Sequence, residues 1–195
     1  MNLAIIKYNA GNIQSVSFAL ERLGISFTIT DNAEEIRKAD KVIFPGVGEA
    51  STTMQYLRDK KLDKVITSLR QPVLGICLGM QLMCRHSEEN NTDCLGIFDE
   101  SVKRFIPEGD KKVPHMGWNK LRTTQPWLDP GLDDQYVYFV HSYYVPVNPF
   151  TVAITEYTVP FSAALRRDNF FAVQFHPEKS AAAGERVLKN FFTQS

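Results

Sequence analysis

Short apolar runs alternate with helical patterns in the first half of the chain. The run at residues 3–6 is followed by apolar residues at helical spacing from Ile13 to Leu23 and then by Gly24, which commonly ends a helix. Further strands are predicted at 25–29, 42–44 and 72–76, with helices at 33–39, 54–59 and 62–69. Strands that alternate with helices predict a parallel sheet covered on both faces.

The second half of the chain is patterned mostly for strands. Apolar runs separated by turn residues predict strands at 136–140, 151–154, 161–165 and 170–175. Residues 167–169 have the composition of a hairpin turn, and a last helix is predicted at 184–192. We expect one domain over residues 1–195: an α/β fold with a mostly parallel doubly wound sheet and helices on both faces, extended by antiparallel strands in the C-terminal half.

The composition adds limits on partners and location. Hydrophobic residues make up 44% of the chain, and 22 basic residues balance 22 acidic ones. A basic cluster typical of nucleic-acid binders is absent from the sequence, and no apolar stretch approaches the roughly 20 residues of a membrane helix. The run after Met1 is too short for a secretory signal. These features predict a cytoplasmic protein that binds neither nucleic acid nor membrane.

The cysteine content excludes two further classes. The three cysteines, Cys77, Cys84 and Cys94, are too few for a disulfide framework and fit a reducing compartment. Together with the four histidines they show no metal-ligand spacing, so we expect no metal site.

The sequence also lacks phosphate-loop and dinucleotide fingerprints, so any nucleotide chemistry is expected on another polypeptide.

Cys77 stands where a predicted buried strand meets a helix predicted over residues 78–85. Gly75 and Gly79 flank it two positions away, which matches the G-x-S-x-G nucleophile elbow with sulfur in place of oxygen. Glycines are needed there because side chains would collide with the backbone around so tight a turn. The helix N-terminus favours thiolate over thiol and offers N–H groups to an oxyanion. We therefore expect Cys77 to be a nucleophile and Cys84 to be a core residue.

A thiolate nucleophile needs a base, and the base needs an orienting group. His176 and Glu178 follow the predicted strand at 170–175, at the carboxyl end of the sheet where Cys77 is also expected. If the extended geometry continues, the two side chains point to the same side, with Pro177 restricting the chain between them. His86 is expected to cap the C-terminal end of the elbow helix.

These residues resemble the class I (triad) glutamine amidotransferases. Both signature motifs are present: Gly-Ile-Cys77-Leu-Gly-Met-Gln81 and Phe-His176-Pro-Glu178. The resemblance covers essentially the whole chain, and it is strongest to the branch that supplies ammonia to imidazole glycerol phosphate synthase in histidine biosynthesis. The segments that favour this branch are Phe44-Pro-Gly-Val-Gly-Glu49, Pro114-His-Met-Gly-Trp-Asn119 and Phe139-Val-His-Ser-Tyr143.

The resemblance implies an activity and a set of roles. Cys77 attacks the side-chain amide of L-glutamine, ammonia leaves, and water releases glutamate from the thioester. The partner is a (β/α)8-barrel cyclase subunit in a heterodimer, and no cofactor is implied. The implied oxyanion loop contains Gly46, Val47 and Gly48, and the implied substrate-binding residues are Gln81, Ser142 and Tyr143. Trp118 and its neighbours Pro114, His115, Met116 and Asn119 are candidates for the partner surface, because tryptophan is enriched at interface hot spots.

One segment departs from the family pattern. Relatives often carry an acidic residue near the end of the first strand, whereas Lys7 and Tyr8 stand there before Asn9 to Asn12. We expect this segment to lie away from the triad motifs. Three rival functions stay open: a glutaminase for another acceptor enzyme, such as pyridoxal phosphate or anthranilate synthesis; a non-catalytic binding subunit of the same fold; and a cysteine hydrolase of similar fold with other substrates.

Overall fold

The computed structural model describes residues 1–8, 13–123 and 127–194. The strands are β1 (Leu3–Ile6), β2 (Phe27–Thr30), β3 (Lys41–Phe44), β4 (Val73–Ile76), β5 (Cys84–Ser87), β6 (Thr92–Asp93), β7 (Phe98–Arg104), β8 (His115–Lys120), β9 (Arg122–Thr123), β10 (Tyr136–His141), β11 (Tyr143–Tyr144), β12 (Thr151–Glu156), β13 (Pro160–Arg167) and β14 (Phe170–Val173). The helices are α1 (Ile13–Arg22), α2 (Ala33–Lys38), α3 (Ala50–Asp59), α4 (Leu62–Ser68), α5 (Leu78–Met83) and α6 (Ala181–Gln194). Within these ranges, no helix is both long and apolar enough to cross a membrane.

An eight-stranded sheet runs through the molecule in the order β2-β1-β3-β4-β14-β13-β12-β9. The strands from β2 to β14 pair in parallel, and β13, β12 and β9 continue the sheet in antiparallel pairs. The predicted fold class is therefore confirmed, including the antiparallel extension. Asp168 turns between β13 and β14 at φ 52°, as expected for the predicted hairpin.

Apolar side chains bury both faces of the parallel strands. Along β1, Leu3 and Ile5 belong to the cluster that packs against α1 and α6, whereas Ala4 and Ile6 belong to the cluster under α2 to α5. Successive strand residues point to opposite faces, so a continuous apolar run fits a sheet covered on both sides. Because β3, β4 and β14 are adjacent and parallel, the loops that follow them lie together at one edge of the sheet.

The region after α5 differs from the sequence prediction. The helix ends at Met83 rather than residue 85, and β5 begins at Cys84 and pairs with β6 and β7. The capping role predicted for His86 is therefore wrong, because His86 lies in β5 with its Nδ1 3.2 Å from Asp93 Oδ1. Cys84 is fully buried, as predicted. Strands β8 and β10 pair as a separate two-stranded ribbon. The sequence predicted β10 but not β8.

Candidate active site

Cys77 lies on a strained turn between β4 and α5. Its φ of 51° and ψ of −107° lie outside the regions that a non-glycine residue usually adopts. Its backbone N–H donates to the Val173 carbonyl at 2.8 Å, which ties the turn to β14. The side chain is largely buried, and its Sγ lies 3.9 Å from the Val140 carbonyl. The predicted elbow geometry is present.

The flanking glycines are required by close packing. A Cβ on Gly79 would come within 2.0 Å of the Phe44 carbonyl oxygen at the end of β3. A Cβ on Gly75 would meet the Met83 sulfur at 2.9 Å and the Gly79 backbone at 3.0 Å. Real Cβ atoms essentially never approach backbone as closely as at Gly79, so the helix reaches its position against the sheet only with glycine there. At Gly75 a side chain would be tightly packed and would require its neighbours to shift.

His176 and Glu178 form a buried hydrogen-bonded pair. Nδ1 of His176 lies 2.8 Å from Oε1 of Glu178, and both side chains are almost fully buried. The route to this contact differs from the prediction, because residues 177–179 form a 3-10 turn instead of an extended segment. Glu178 accepts from the Nδ1–H group, which leaves Nε2 of His176 as the nitrogen available for proton transfer with Cys77.

Opposing effects set the charge of His176. Burial lowers the pKa of the ring, but the neighbouring Cys77 sulfur and Glu178 carboxylate raise it to about 10. The imidazolium is thus favoured at neutral pH next to the thiol. A cation at this position stabilises a thiolate and can later give its proton to a leaving amine.

The backbone around this pair is also fixed. The N–H of His176 donates to the Tyr138 carbonyl at 2.9 Å, and Ser180 Oγ donates to the His176 carbonyl at 2.6 Å. A Cβ on Gly184 would come within 1.9 Å of the Pro177 carbonyl oxygen, so α6 packs directly on the turn. Helix and ribbon therefore hold the histidine from two sides.

The loop after β3 lies against the elbow, and the carbonyl of Gly46 in this loop points at the residue after Cys77. Leu78 N–H, in the residue after the nucleophile, donates to the Gly46 carbonyl at 3.4 Å. That N–H is a typical oxyanion donor in nucleophile elbows. Gly46 packs closely, since a Cβ there would meet Gly79 N at 2.5 Å, and Gly48 has a φ of 133°. In this conformation the Gly46 carbonyl takes up an N–H that would otherwise be offered to an oxyanion.

Tyr8 corrects an expectation about the first strand. Its hydroxyl donates to the Pro45 carbonyl, and its buried ring packs edge-on against Phe44. Burial, followed by the charge of Cys77, raises the pKa of this phenol, so it keeps its proton as a donor. The expectation that Lys7 and Tyr8 lie away from the triad motifs is wrong for Tyr8. Asn9 to Asn12 lie outside the described residues.

A cavity of about 310 Å³ opens onto the Cys77 sulfur. Its lining includes most residues assigned to the oxyanion loop and to substrate binding: Val47, Gly48, Gln81, Ser142 and Tyr143. Pro114, His141 and Glu89 also line it.

Sequence reasoning missed Glu89, whose carboxylate accepts from the Ala50 N–H at 2.8 Å. Burial is the first cause that raises the pKa of this carboxyl.

Gln81 is buried in the cavity wall rather than exposed on a helix surface. Its Nε2 reaches the Tyr143 carbonyl at 3.0 Å and Oε1 of Gln174 at 3.0 Å. Gln174, the second residue that sequence reasoning missed, lies 3.6 Å from the Cys77 sulfur through its Nε2. A polar residue near the end of an otherwise apolar strand was the available signal.

A buried histidine pair lies behind the cavity. His141 Nδ1 is 2.6 Å from the Tyr143 carbonyl, which makes Nδ1 the donor and leaves Nε2 to accept from His115 Nδ1 at 3.0 Å. Burial lowers the pKa of His115 to about 4 and is the first cause that lowers that of His141 to about 3. Both rings are neutral at physiological pH. They contrast with the charged His176.

The ribbon carries the residues expected at a partner surface. Along β8 the side chains alternate, with Met116 63% and Trp118 51% exposed and His115 buried. His115 is therefore not a surface residue, which corrects its place among the surface candidates. Pro114 is exposed, and Asn119 is partly exposed with its Nδ2 3.3 Å from His115 Nε2. Exposed Tyr136 on β10 adds to the same ribbon.

Comparison with known proteins agrees with this geometry. The family model described as "Glutamine amidotransferase class-I" matches residues 4–195, so the chain belongs to the class I glutamine amidotransferases. Among curated relatives, "Imidazole glycerol phosphate synthase subunit HisH" of Bacteroides fragilis is 63% identical over 193 residues, covering 98% of both chains. The subunit of the same name from Escherichia coli K12 is 46% identical over 194 residues, again covering 98% of both.

Solved structures show the same fold at low identity. A crystal structure of a glutamine amidotransferase superposes with a TM-score of 0.74 at 18% identity and covers 97% of this chain and 96% of its own. The structure of PurLQS from Thermotoga maritima gives a TM-score of 0.71 at 13% identity, covering 98% of this chain and 97% of the matched chain. The fold is therefore shared by proteins with different names.

Proposed function

We propose that this chain is the glutaminase subunit of a cytoplasmic imidazole glycerol phosphate synthase. Residues 1–195, acting as one domain, hydrolyse L-glutamine to L-glutamate and ammonia. The ammonia passes to a (β/α)8-barrel cyclase subunit, which makes imidazole glycerol phosphate and an aminoimidazole carboxamide ribonucleotide in histidine biosynthesis. The observation that carries the hydrolytic step is the buried pair of His176 and Glu178 beside Cys77 on its elbow. The names of the relatives support the choice of acceptor.

The chemistry follows from the charges of the triad. The Cys77 thiolate attacks the side-chain carbonyl carbon of glutamine, and the carbonyl oxygen becomes an oxyanion. His176 gives its proton to the amide nitrogen, which leaves as ammonia and leaves a thioester on Cys77. His176 then takes a proton from water, the hydroxide attacks the thioester, and glutamate departs. Glu178 holds the ring in the required tautomer throughout.

The cavity supplies groups for the amino-acid end of glutamine. The Glu89 carboxylate lines it and matches the charge of an α-ammonium group. Gln81 and the backbone of Ser142 and Tyr143 offer polar groups on the wall next to the sulfur. This combination favours an amino-acid amide over a substrate without an ammonium group, and it argues against a cysteine hydrolase of other specificity.

A non-catalytic role and a different acceptor enzyme are each disfavoured by a separate observation. A non-catalytic subunit has no need for a histidine with a raised pKa beside a cysteine on a strained turn, so this combination favours a catalytic role. A glutaminase for another acceptor would use the same triad, so only the partner surface separates it. The relatives that are 46% and 63% identical carry the name of one acceptor enzyme, which favours that acceptor.

Glutamine hydrolysis is expected to depend on the partner. With the Gly46 carbonyl bonded to it, the Leu78 N–H is not available to the oxyanion, and loss of one such donor costs on the order of a hundredfold in rate. Steady-state hydrolysis should be slow for the chain alone and rise about a hundredfold with the cyclase subunit and its nucleotide ligand. Barrel subunits from other pathways provide the control. Full activity of the isolated chain, or equal stimulation by unrelated barrels, would refute partner-dependent control.

Trp118 is expected to be a main contact for that partner. Exposed aromatic residues dominate protein interfaces, and Trp118 lies on the ribbon whose end lines the cavity. Trp118→Ala should weaken binding to the cyclase subunit at least tenfold, measured by calorimetry, without changing the melting temperature by more than a few degrees. Ile29→Ala is the control. Ile29 is 42% exposed on β2, the edge strand of the large sheet at the far end from β9. Equal binding by the two variants would exclude this surface.

A further inference from the structure

Gln174 occupies a position that the triad chemistry leaves unexplained. Its side chain is fully buried two residues before His176, and its amide lies between Cys77 and Gln81. Its backbone N–H donates to the Ala163 carbonyl at 2.8 Å, so the residue continues the hydrogen bonding of β14 with β13. A polar side chain in so buried a place is costly unless its hydrogen bonds are made.

The hydrogen-bond network fixes which end of this amide faces the sulfur. The Tyr143 carbonyl can only accept, so Gln81 must direct its Nε2 toward it. The same Nε2 lies 3.0 Å from Gln174, which must therefore present its oxygen to Gln81. The amide nitrogen of Gln174 then faces Cys77 Sγ at 3.6 Å as a donor.

A donor at this distance acts on the ionised form of the sulfur. The Val140 carbonyl, 3.9 Å from Sγ, can accept only from the neutral thiol. The Gln174 N–H groups bind the thiolate more strongly, since hydrogen bonds to charged groups exceed neutral ones. The backbone of Gln174 is held by its hydrogen bond to the Ala163 carbonyl. Its side-chain amide therefore also limits where the Cys77 Sγ can lie relative to the cavity.

We propose that Gln174 is a positioning residue that holds the Cys77 thiolate toward the substrate and at the same time fixes Gln81 in the cavity wall. The proposal rests on the proposed function of the site. The Gln174 amide thereby aligns the nucleophile Cys77 with Gln81, which contacts the substrate in the proposed function. Loss of the amide should therefore affect both kcat and KM, whereas loss of its donor alone should affect mainly kcat.

Two variants separate these effects. Gln174→Met keeps the length of the side chain but removes donor and acceptor. Gln174→Glu keeps an acceptor for Gln81 but turns an oxygen toward the thiolate. The matched control is Gln71→Met, because the Gln71 amide donates to the Ile36 carbonyl before β4 begins, at the end of the strand opposite to Cys77. Each variant is assayed in complex with the cyclase subunit, with a thermal melt on the same sample.

Glutamine hydrolysis by Gln174→Met should show a kcat about 10- to 100-fold below that of the wild type, together with a raised KM. Gln174→Glu should lose at least as much kcat with a KM close to that of the wild type. Alkylation of Cys77 by iodoacetamide at pH 7.5, followed by mass spectrometry, should slow by a similar factor in both. Gln71→Met should match the wild type in each measurement.

Wild-type kcat and alkylation rates in a folded Gln174→Met variant would overturn the proposal. If that variant does not fold, Gln174→Glu decides, and wild-type rates there would overturn it. Inactivity of the wild-type complex toward glutamine would instead refute the proposed function. Slower alkylation in the variants would in that case still support the contact between Gln174 and the sulfur.

Discussion

Cys77→Ser is expected to abolish glutamine hydrolysis while leaving the fold and the partner complex almost unchanged. The turn between β4 and α5 has room for a hydroxyl, but a serine does not ionise beside His176 as a thiol does. Turnover with the cyclase subunit should fall by a factor on the order of 10⁴ or more. Calorimetric binding and the melting temperature should stay close to those of the wild type.

Cys94→Ser is the matched control for that experiment. Cys94 is partly buried, its Sγ lies 3.5 Å from the Thr92 carbonyl, and burial is the first cause that raises its pKa to about 12. It should retain wild-type turnover. Substantial hydrolysis by Cys77→Ser would mean that another residue is the nucleophile.

His176→Ala and Glu178→Gln are expected to reduce turnover to different degrees. His176→Ala removes the proton carrier, so its loss should approach that of Cys77→Ser. Glu178→Gln keeps the shape and an acceptor for Nδ1–H but removes the charge, and its loss should be roughly ten- to a hundredfold smaller.

The pH profile gives an independent measurement of the same pair. Glu178 is one of the groups that raise the pKa of His176 to about 10, so its loss lowers that pKa. The imidazolium form is then lost at lower pH, and the alkaline limb of activity should move to lower pH in Glu178→Gln. Equal and negligible effects of both substitutions on turnover would show that residues 176–178 are only a structural turn.

The sequence predicted the parallel half of the fold well for a physical reason. Strands buried on both faces read as continuous apolar runs, as at 3–6 and 42–44, and helices between them show a clear period. Strand β8 was missed because its exposed positions carry Met116 and Trp118 and its inner ones carry His115 and Gly117, so no polar–apolar alternation is visible.

The candidate site was predictable where its residues are close in sequence. Cys77 with its glycines, and His176 with Glu178, each form a local motif whose spacing has a steric or electrostatic cause. Glu89 and Tyr8 belong to the site only because folding brings distant parts of the chain together. The hydrophobic periodicity of the sequence therefore gave no signal for them. The rule that parallel strands end at a common edge would have brought Tyr8 close to the loop after β3.

The strained backbone of Cys77 has a consequence for how such a chain changes over evolutionary time. A non-glycine residue held at φ 51° and ψ −107° costs on the order of 1 to 3 kcal/mol, within a total stability of about 5 to 15 kcal/mol. Glycine would adopt that turn without the cost. A lineage released from the need for ammonia would therefore gain stability by losing its nucleophile. A cysteine at position 77 is maintained against that pressure only while turnover contributes to fitness.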